Sequence, residues 1–116
     1  MSEDLAYWGA EDVDDVTLPP PEMRRIGEQL FVRPRGFEGN GAALRLPLRL
    51  SPDFMKRAAA EGDGVAQVSL VVDELTNEAA REAWLGLDLL DRTAVASRYF
   101  TELQTLLGMA VGESSR

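Results

Sequence analysis

Residues 44–50 run Leu44, Arg45, Leu46, Pro47, Leu48, Arg49, Leu50. Leucine at every second position, set against arginine or proline, has the two-residue period of a strand with one apolar and one charged face. Proline brings no N–H to a ladder, so Pro47 predicts an edge strand, hydrogen-bonded on one side only. Upstream, Glu28 to Pro34 alternates in the same way, with Leu30 and Val32 set against Phe31 and Arg33. Between the two runs lies GFEGNG, residues 36–41, whose three glycines and one asparagine suit a turn. A hairpin with a six-residue loop is the expected result.

Downstream of this ribbon the punctuation changes to that of helices. Ser51-Pro52-Asp53 is a start signal: serine as N-cap, proline at the first helical position, and an acidic residue facing the positive end of the dipole. That helix is expected to be short, ending at Gly62. Residues 65–72 (VAQVSLVV) fit two patterns. Their β-branched content favours a buried strand, while Val65, Val68, Val72 and Leu75 also stand at helical spacing; the strand is the preferred reading. From Thr76 onward the pattern is helical, with Thr76 or Asn77 as cap and Ala80, Trp84 and Leu87 on one face beside Leu85 and Leu89. Gly86 weakens this helix, and Asp91 is the expected cap of a last helix over about Arg92 to Leu107. On that helix Val95, Tyr99, Leu103, Leu106 and Ala110, widened by Ala96, Phe100 and Leu107, form a stripe broader than one packed face hides. Part of it is expected to meet a second chain, with one of Tyr99 and Phe100 anchoring the domain's own core and the other serving as a contact hot spot.

The predicted architecture is therefore α+β: a small antiparallel sheet of about three strands covered by two C-terminal helices, over residues 23–112. Residues 1–22 precede it with seven acidic side chains and no basic one, ending in three prolines, which predicts a flexible acidic arm. Its Leu5, Tyr7 and Trp8 suit an arm that folds on a partner. Residues 113–116 are a short tail. Charge is segregated along the chain. Residues 23–57 hold eight basic and three acidic side chains and residues 58–116 four basic and ten acidic, within a net charge of −8 over 116 residues. The arm can thus lie across the basic middle segment, in a weak, salt-screened contact. Arginine outnumbers lysine eleven to one, a composition typical of GC-rich bacterial genomes. No basic segment followed by an apolar stretch opens the sequence, and no run nears the ~20 apolar residues of a membrane span. A cytoplasmic protein with no membrane partner is expected.

The chain has neither Cys nor His. Disulfides, thiol nucleophiles, imidazole bases and Cys/His metal sites are excluded with them. Glu11, Asp12, Asp14 and Asp15 lack the spacing of a calcium loop, and GFEGNG precedes a strand without the G-K-[ST] of a phosphate cradle. The remaining carboxylates, Asp73/Glu74, Glu78/Glu82 and Asp88/Asp91, fall at helix ends or solvated faces. No metal, no cofactor and no catalytic residue is expected.

The sharpest feature is an arginine stripe. With the leucines of 44–50 inward, Arg45 and Arg49 project outward, joined by Arg33 and Arg35 from the neighbouring strand and by Arg24 and Arg25 at the root of the arm. Such a stripe guards an edge strand against aggregation, docks a protein, or reads guanine from a major groove. The segment LRLPLRLSPDFMKRAAAEG, residues 44–62, resembles the strand, capped turn and first helix of ribbon-helix-helix repressors. That resemblance implies base-facing roles for Arg45, Pro47 and Arg49. It covers about 20 residues, with a first helix roughly one turn short for that family. The expected function is a small bacterial protein-protein interaction module, non-enzymatic: an adaptor, an inhibitor or immunity-type partner, or a small subunit of an assembly. Its contact residues would be Leu5, Tyr7, Trp8, Arg33, Arg45, Arg49, Tyr99 and Phe100, with a protein partner or homo-oligomer formed through the C-terminal helix. The alternative is a DNA-binding regulator of ribbon-helix-helix type.

Overall fold

Three short strands built around Leu30, Val32, Leu44 and Leu46 form the antiparallel sheet in the computed structural model, which describes residues 21–39 and 41–114. The strands are β1 (Glu22–Ile26), β2 (Gln29–Arg33) and β3 (Leu44–Pro47), in that spatial order. Both pairings are in simple register: Arg24 faces Phe31 and Phe31 faces Arg45, one step from Leu30 facing Leu46. The alternation in sequence decides the faces. Leu30, Val32, Leu44 and Leu46 are fully buried on the inner face, with Met23 and Arg25 beside them at the β1 edge. Pro47 closes an edge strand, as its missing N–H requires.

Strand β1 is absent from the sequence reading, which placed residues 1–22 in the arm and drew its third strand from residues 65–72. In EMRRI only Met23 and Ile26 are apolar, and they fall on opposite faces, so no amphipathic signal marks it. What forms it is the two-residue turn at Gly27–Glu28. Gly27 takes φ +63°, a left-handed conformation that residues with a Cβ adopt at a cost, and so folds EMRRI back onto QLFVR. The β2–β3 connection runs from Pro34 to Ala43, longer than the six residues expected. Ala43 N–H donates to the Val32 carbonyl, so regular pairing begins only at Leu44.

Four helices follow among the described residues: α1 (Pro52–Ala59), α2 (Gly64–Leu75), α3 (Glu78–Leu85) and α4 (Leu89–Ser114). Ser51 caps α1, its Oγ accepting from Phe54 N at 3.1 Å with Pro52 in the first turn. Ser51→Ala should therefore cost about 1 kcal/mol. A urea midpoint that falls at unchanged slope would report it, and Ser51→Asp should restore most of the loss.

Residues 65–72 are helix, and the expected strand is corrected. Gly62 stops α1 at φ +98°, and Asp63 then caps α2 by accepting from Ala66 N at 2.8 Å. The valines sit at helical spacing, with Val68, Val71 and Val72 buried. Their helix-propensity penalty of at most ~0.7 kcal/mol each is outweighed by ~1.5–3 kcal/mol for burying each side chain. Asn77 caps α3 through Ala80 N, and Gly86, expected inside a helix, is its C-cap. The last helix begins earlier than expected. Asp88, not Asp91, is its cap: the Asp88 carboxylate accepts from the Asp91 N–H at 2.7 Å.

One face of the sheet is covered. Helix α4 packs behind β1 and β2, while α2 and α3 pack behind β3. The core joins the inward leucines and valines of the sheet to Phe54, Val68, Val71, Val72, Trp84, Val95, Tyr99 and Leu103. No helix among the described residues is long and apolar enough to cross a membrane. The expected arm, apart from its last two residues, Asn40 of the loop and the last two residues of the tail lie outside the described residues.

Candidate functional site

The six middle-segment arginines of the expected stripe separate into two kinds: strand parity turns Arg25 inward and Arg24, Arg33 and Arg45 outward, while Arg35 and Arg49 lie beyond the strand ends. Arg25 points inward at the sheet edge and donates from Nε to Glu102 Oε1 of α4 at 2.9 Å; Arg98 donates to the other oxygen at 2.6 Å. These bonds, Arg98's first, hold the Glu102 carboxyl below its ordinary range, against the opposing effect of desolvation. Arg35, past the end of β2, forms a two-pronged pair with the buried Asp91 at 3.2 and 3.0 Å. That hydrogen bonding raises the Arg35 pKa. Arg49 lies beyond β3 and grips both oxygens of Glu28 with its Nε and one Nη, at 2.8 and 2.5 Å. Their hydrogen bonding raises the arginine's pKa and lowers the glutamate's. Arg57 of α1, outside the stripe, does the same with Glu74 of α2. The basic middle segment thus meets acids of residues 58–116 in three of these pairs, a structural reading of the charge segregation along the chain.

Three arginines remain on the outer face of the sheet. Arg33 is partly engaged: it pairs with Glu22 across β1–β2 at 3.2 Å, donates to the carbonyls of Gly39 and Gly41, and lies 5.1 Å from the Phe37 ring centroid. Arg24 and Arg45 flank Phe31 in one cross-strand row, and the Arg45 guanidinium stands 5.4 Å from the Phe31 ring centroid. Both arginines are exposed, and among the described residues neither is in an ion pair. Beside the row a shallow hollow of about 450 Å³ is lined by Glu22, Arg24, Ile26, Phe31, Arg33 and Gly41. Ile26 is 53 % exposed there. Among the described residues no helix lies over this face, and it joins an aromatic ring, an exposed aliphatic side chain and two guanidinium groups that are in no ion pair there. Cation–π stacking and charge-assisted hydrogen bonding are the chemistry it offers.

Of the expected contact residues, the structure brings Arg33 and Arg45 to this face. It commits Arg49 to Glu28, while Leu5, Tyr7 and Trp8 lie outside the described residues. Tyr99 and Phe100 are elsewhere, on α4. Tyr99 is fully buried and donates its hydroxyl to the Pro47 carbonyl, so it is the core anchor of the two. Phe100 is half-buried, edge-on to Tyr99 at 5.4 Å and against the start of α2 at Gly64. Further along α4, Leu107 and Met109 are exposed. Sequence reasoning missed Arg24 and Phe31 as a pair. The signal was present in Gly27, which lies between two five-residue runs and aligns them as a tight hairpin. Comparison with family models, curated proteins and solved structures finds no match to this chain.

Proposed function

We propose that the chain is a non-enzymatic protein-interaction module of the bacterial cytoplasm, working through the outer face of its sheet. The observation that carries this reading is the Arg24–Phe31–Arg45 row on a face that no helix of the described residues covers. A charged edge that merely resists aggregation needs no aromatic ring between its arginines. Aromatic and arginine side chains together are the composition of interface hot spots. The preferred partner is a protein with acidic side chains placed to meet Arg24 and Arg45. The exposed Leu107, two turns along α4 from Phe100 on the same side of the helix, marks the second contact surface, suited to a protein partner or to another copy.

The test uses the full chain as bait beside the Arg24→Glu/Arg45→Glu double variant. A partner retained by the wild type and released by the double variant is the expected result. Equal retention by both rejects the outer face as the working surface.

A second reading, the DNA-binding regulator, gains support from one observation: with residues 64–75 helical, β3, α1 and α2 follow in strand–helix–helix order. On that reading about three outward arginines would give a log–log salt slope near −3 for duplex binding. No sequence-selective duplex binding at physiological salt is the outcome expected here.

A further inference from the structure

We propose that the outer face of the sheet is the docking site of the chain's own acidic N-terminal segment, residues 5–16, which covers the Arg24–Phe31–Arg45 row until a partner competes for it. The inference rests on the reading of that face as an interaction surface and names its resident occupant.

Charge selects the occupant. Among the described residues the face presents two guanidinium groups in no ion pair, whereas most other arginines there are already spent on carboxylates or carbonyls. The segment carries Glu11, Asp12, Asp14 and Asp15, with no basic residue anywhere before Arg24. Its apolar members match the rest of the face. Tyr7 and Trp8 supply rings for a guanidinium or for Phe31, and Val13 and Val16 supply aliphatic surface for the hollow beside Ile26.

Connectivity supplies the second argument. Residues 1–20 precede the described chain, which enters the sheet at Glu22, the first residue of β1 and itself on the outer face. Arg24 is two residues farther along that strand, ~7 Å away, and Arg45 lies two strand spacings across, ~10 Å. Asp15 is seven residues from Glu22, a reach of at most about 25 Å. The acids can therefore meet both arginines with slack, and Trp8 lies within reach of Phe31. A short tether holds the segment at an effective concentration of about millimolar, so a contact too weak to persist between separate molecules is populated within one.

The absence of cysteine makes the test clean. Ala10→Cys in the full chain takes a single nitroxide without removing a charge. At about 10 mM salt the label should broaden the amides of Arg24, Phe31 and Arg45 well beyond those of α1, and at about 1 M salt, where the screening length is about 3 Å, the broadening should vanish. Outer-face amides no broader than those of α1 at low salt would overturn the proposal. So would broadening that survives Arg24→Glu/Arg45→Glu, a double variant on an exposed face whose spectrum should keep its dispersion. Isotope-enriched unlabelled chain mixed with unenriched labelled chain tests for exchange between copies, and broadening there also overturns it, since the occupant would then be a second copy's segment. This inference and the interaction reading fail separately. A chain whose segment does not dock, but whose partner is lost on the double reversal, keeps the reading and loses the occupant. A segment that docks beside a partner indifferent to the reversal does the opposite.

Discussion

Tyr99→Ala is expected to remove about 3–5 kcal/mol of stability, a large part of the ~5–15 kcal/mol that holds a domain of this size folded. The ring is fully buried at the centre of α4, where it reaches from the helix to the sheet, and its hydroxyl satisfies the carbonyl of Pro47 at the end of β3. Truncation opens a cavity and orphans that carbonyl together. Tyr99→Phe separates the two effects: it keeps the packing and loses the hydrogen bond, for about 1–2 kcal/mol. Burial also pushes the Tyr99 phenol above its ordinary value. The folded state thus favours the protonated ring, and the associated stability is fully present below the unfolded pKa of ~10 and lost as pH rises beyond it. Urea midpoints measured from pH 8 to 11 should fall at the alkaline end for the wild type and fall less for Tyr99→Phe. Phe100 is half-buried, so Phe100→Ala should cost clearly less than Tyr99→Ala. Equal losses would show that both rings are simply core.

What could be read from sequence was what is local. The leucine alternation at 44–50 specifies a strand and its inward face because period and parity lie within one segment; the regular strand ends at Pro47, and the Leu48 N–H still donates to the Glu28 carbonyl. Ser51-Pro52 specifies a helix start for the same reason, and the buried stripe Val95, Ala96, Tyr99, Leu103 is visible from spacing alone. Residues 65–72 were not decidable by pattern, since four valines satisfy both periods. The decision lay just outside the window, in the stop at Gly62 and the cap at Asp63. Strand β1 was hidden for a different reason. An edge strand with one half-buried arginine on its inner face has no apolar face to show, and only pairing makes it a strand. The candidate site inherits that limit. Parity alone sends Arg33 and Arg45 outward, but the Arg24–Phe31–Arg45 row is a fact of register between strands. Which arginines are already committed is likewise non-local, because Asp91 and Glu102 come from a helix more than fifty residues away.

Trp84→Ala is the second large effect, again about 3–5 kcal/mol, and it separates the fold from the proposed face. Trp84 is 2 % exposed on α3, which packs behind β3, and its indole N–H donates to Ser69 Oγ of α2 at 2.9 Å. One side chain therefore ties together the two helices that support the strand carrying Arg45. Trp84→Phe keeps a ring and gives up the hydrogen bond, and because Ser69 is only half-buried its hydroxyl can turn to water; about 1–2 kcal/mol is expected. The outer face should behave in the opposite sense. Arg24→Glu/Arg45→Glu touches no buried contact and should move the urea midpoint by no more than ~0.5 kcal/mol, while partner retention is lost. If Trp84→Phe, still folded, lost the partner as completely as the double reversal, the working surface would be the α2–α3 side of the molecule and not the open face of the sheet. The same variant has a second use, because the chain holds two tryptophans and Trp84→Phe leaves Trp8 alone as the emitter. A salt-dependent shift in its emission, abolished by Arg24→Glu/Arg45→Glu, would place the N-terminal segment on the arginine row by a probe independent of the nitroxide. An emission unchanged from low to high salt would leave the row open to partners only.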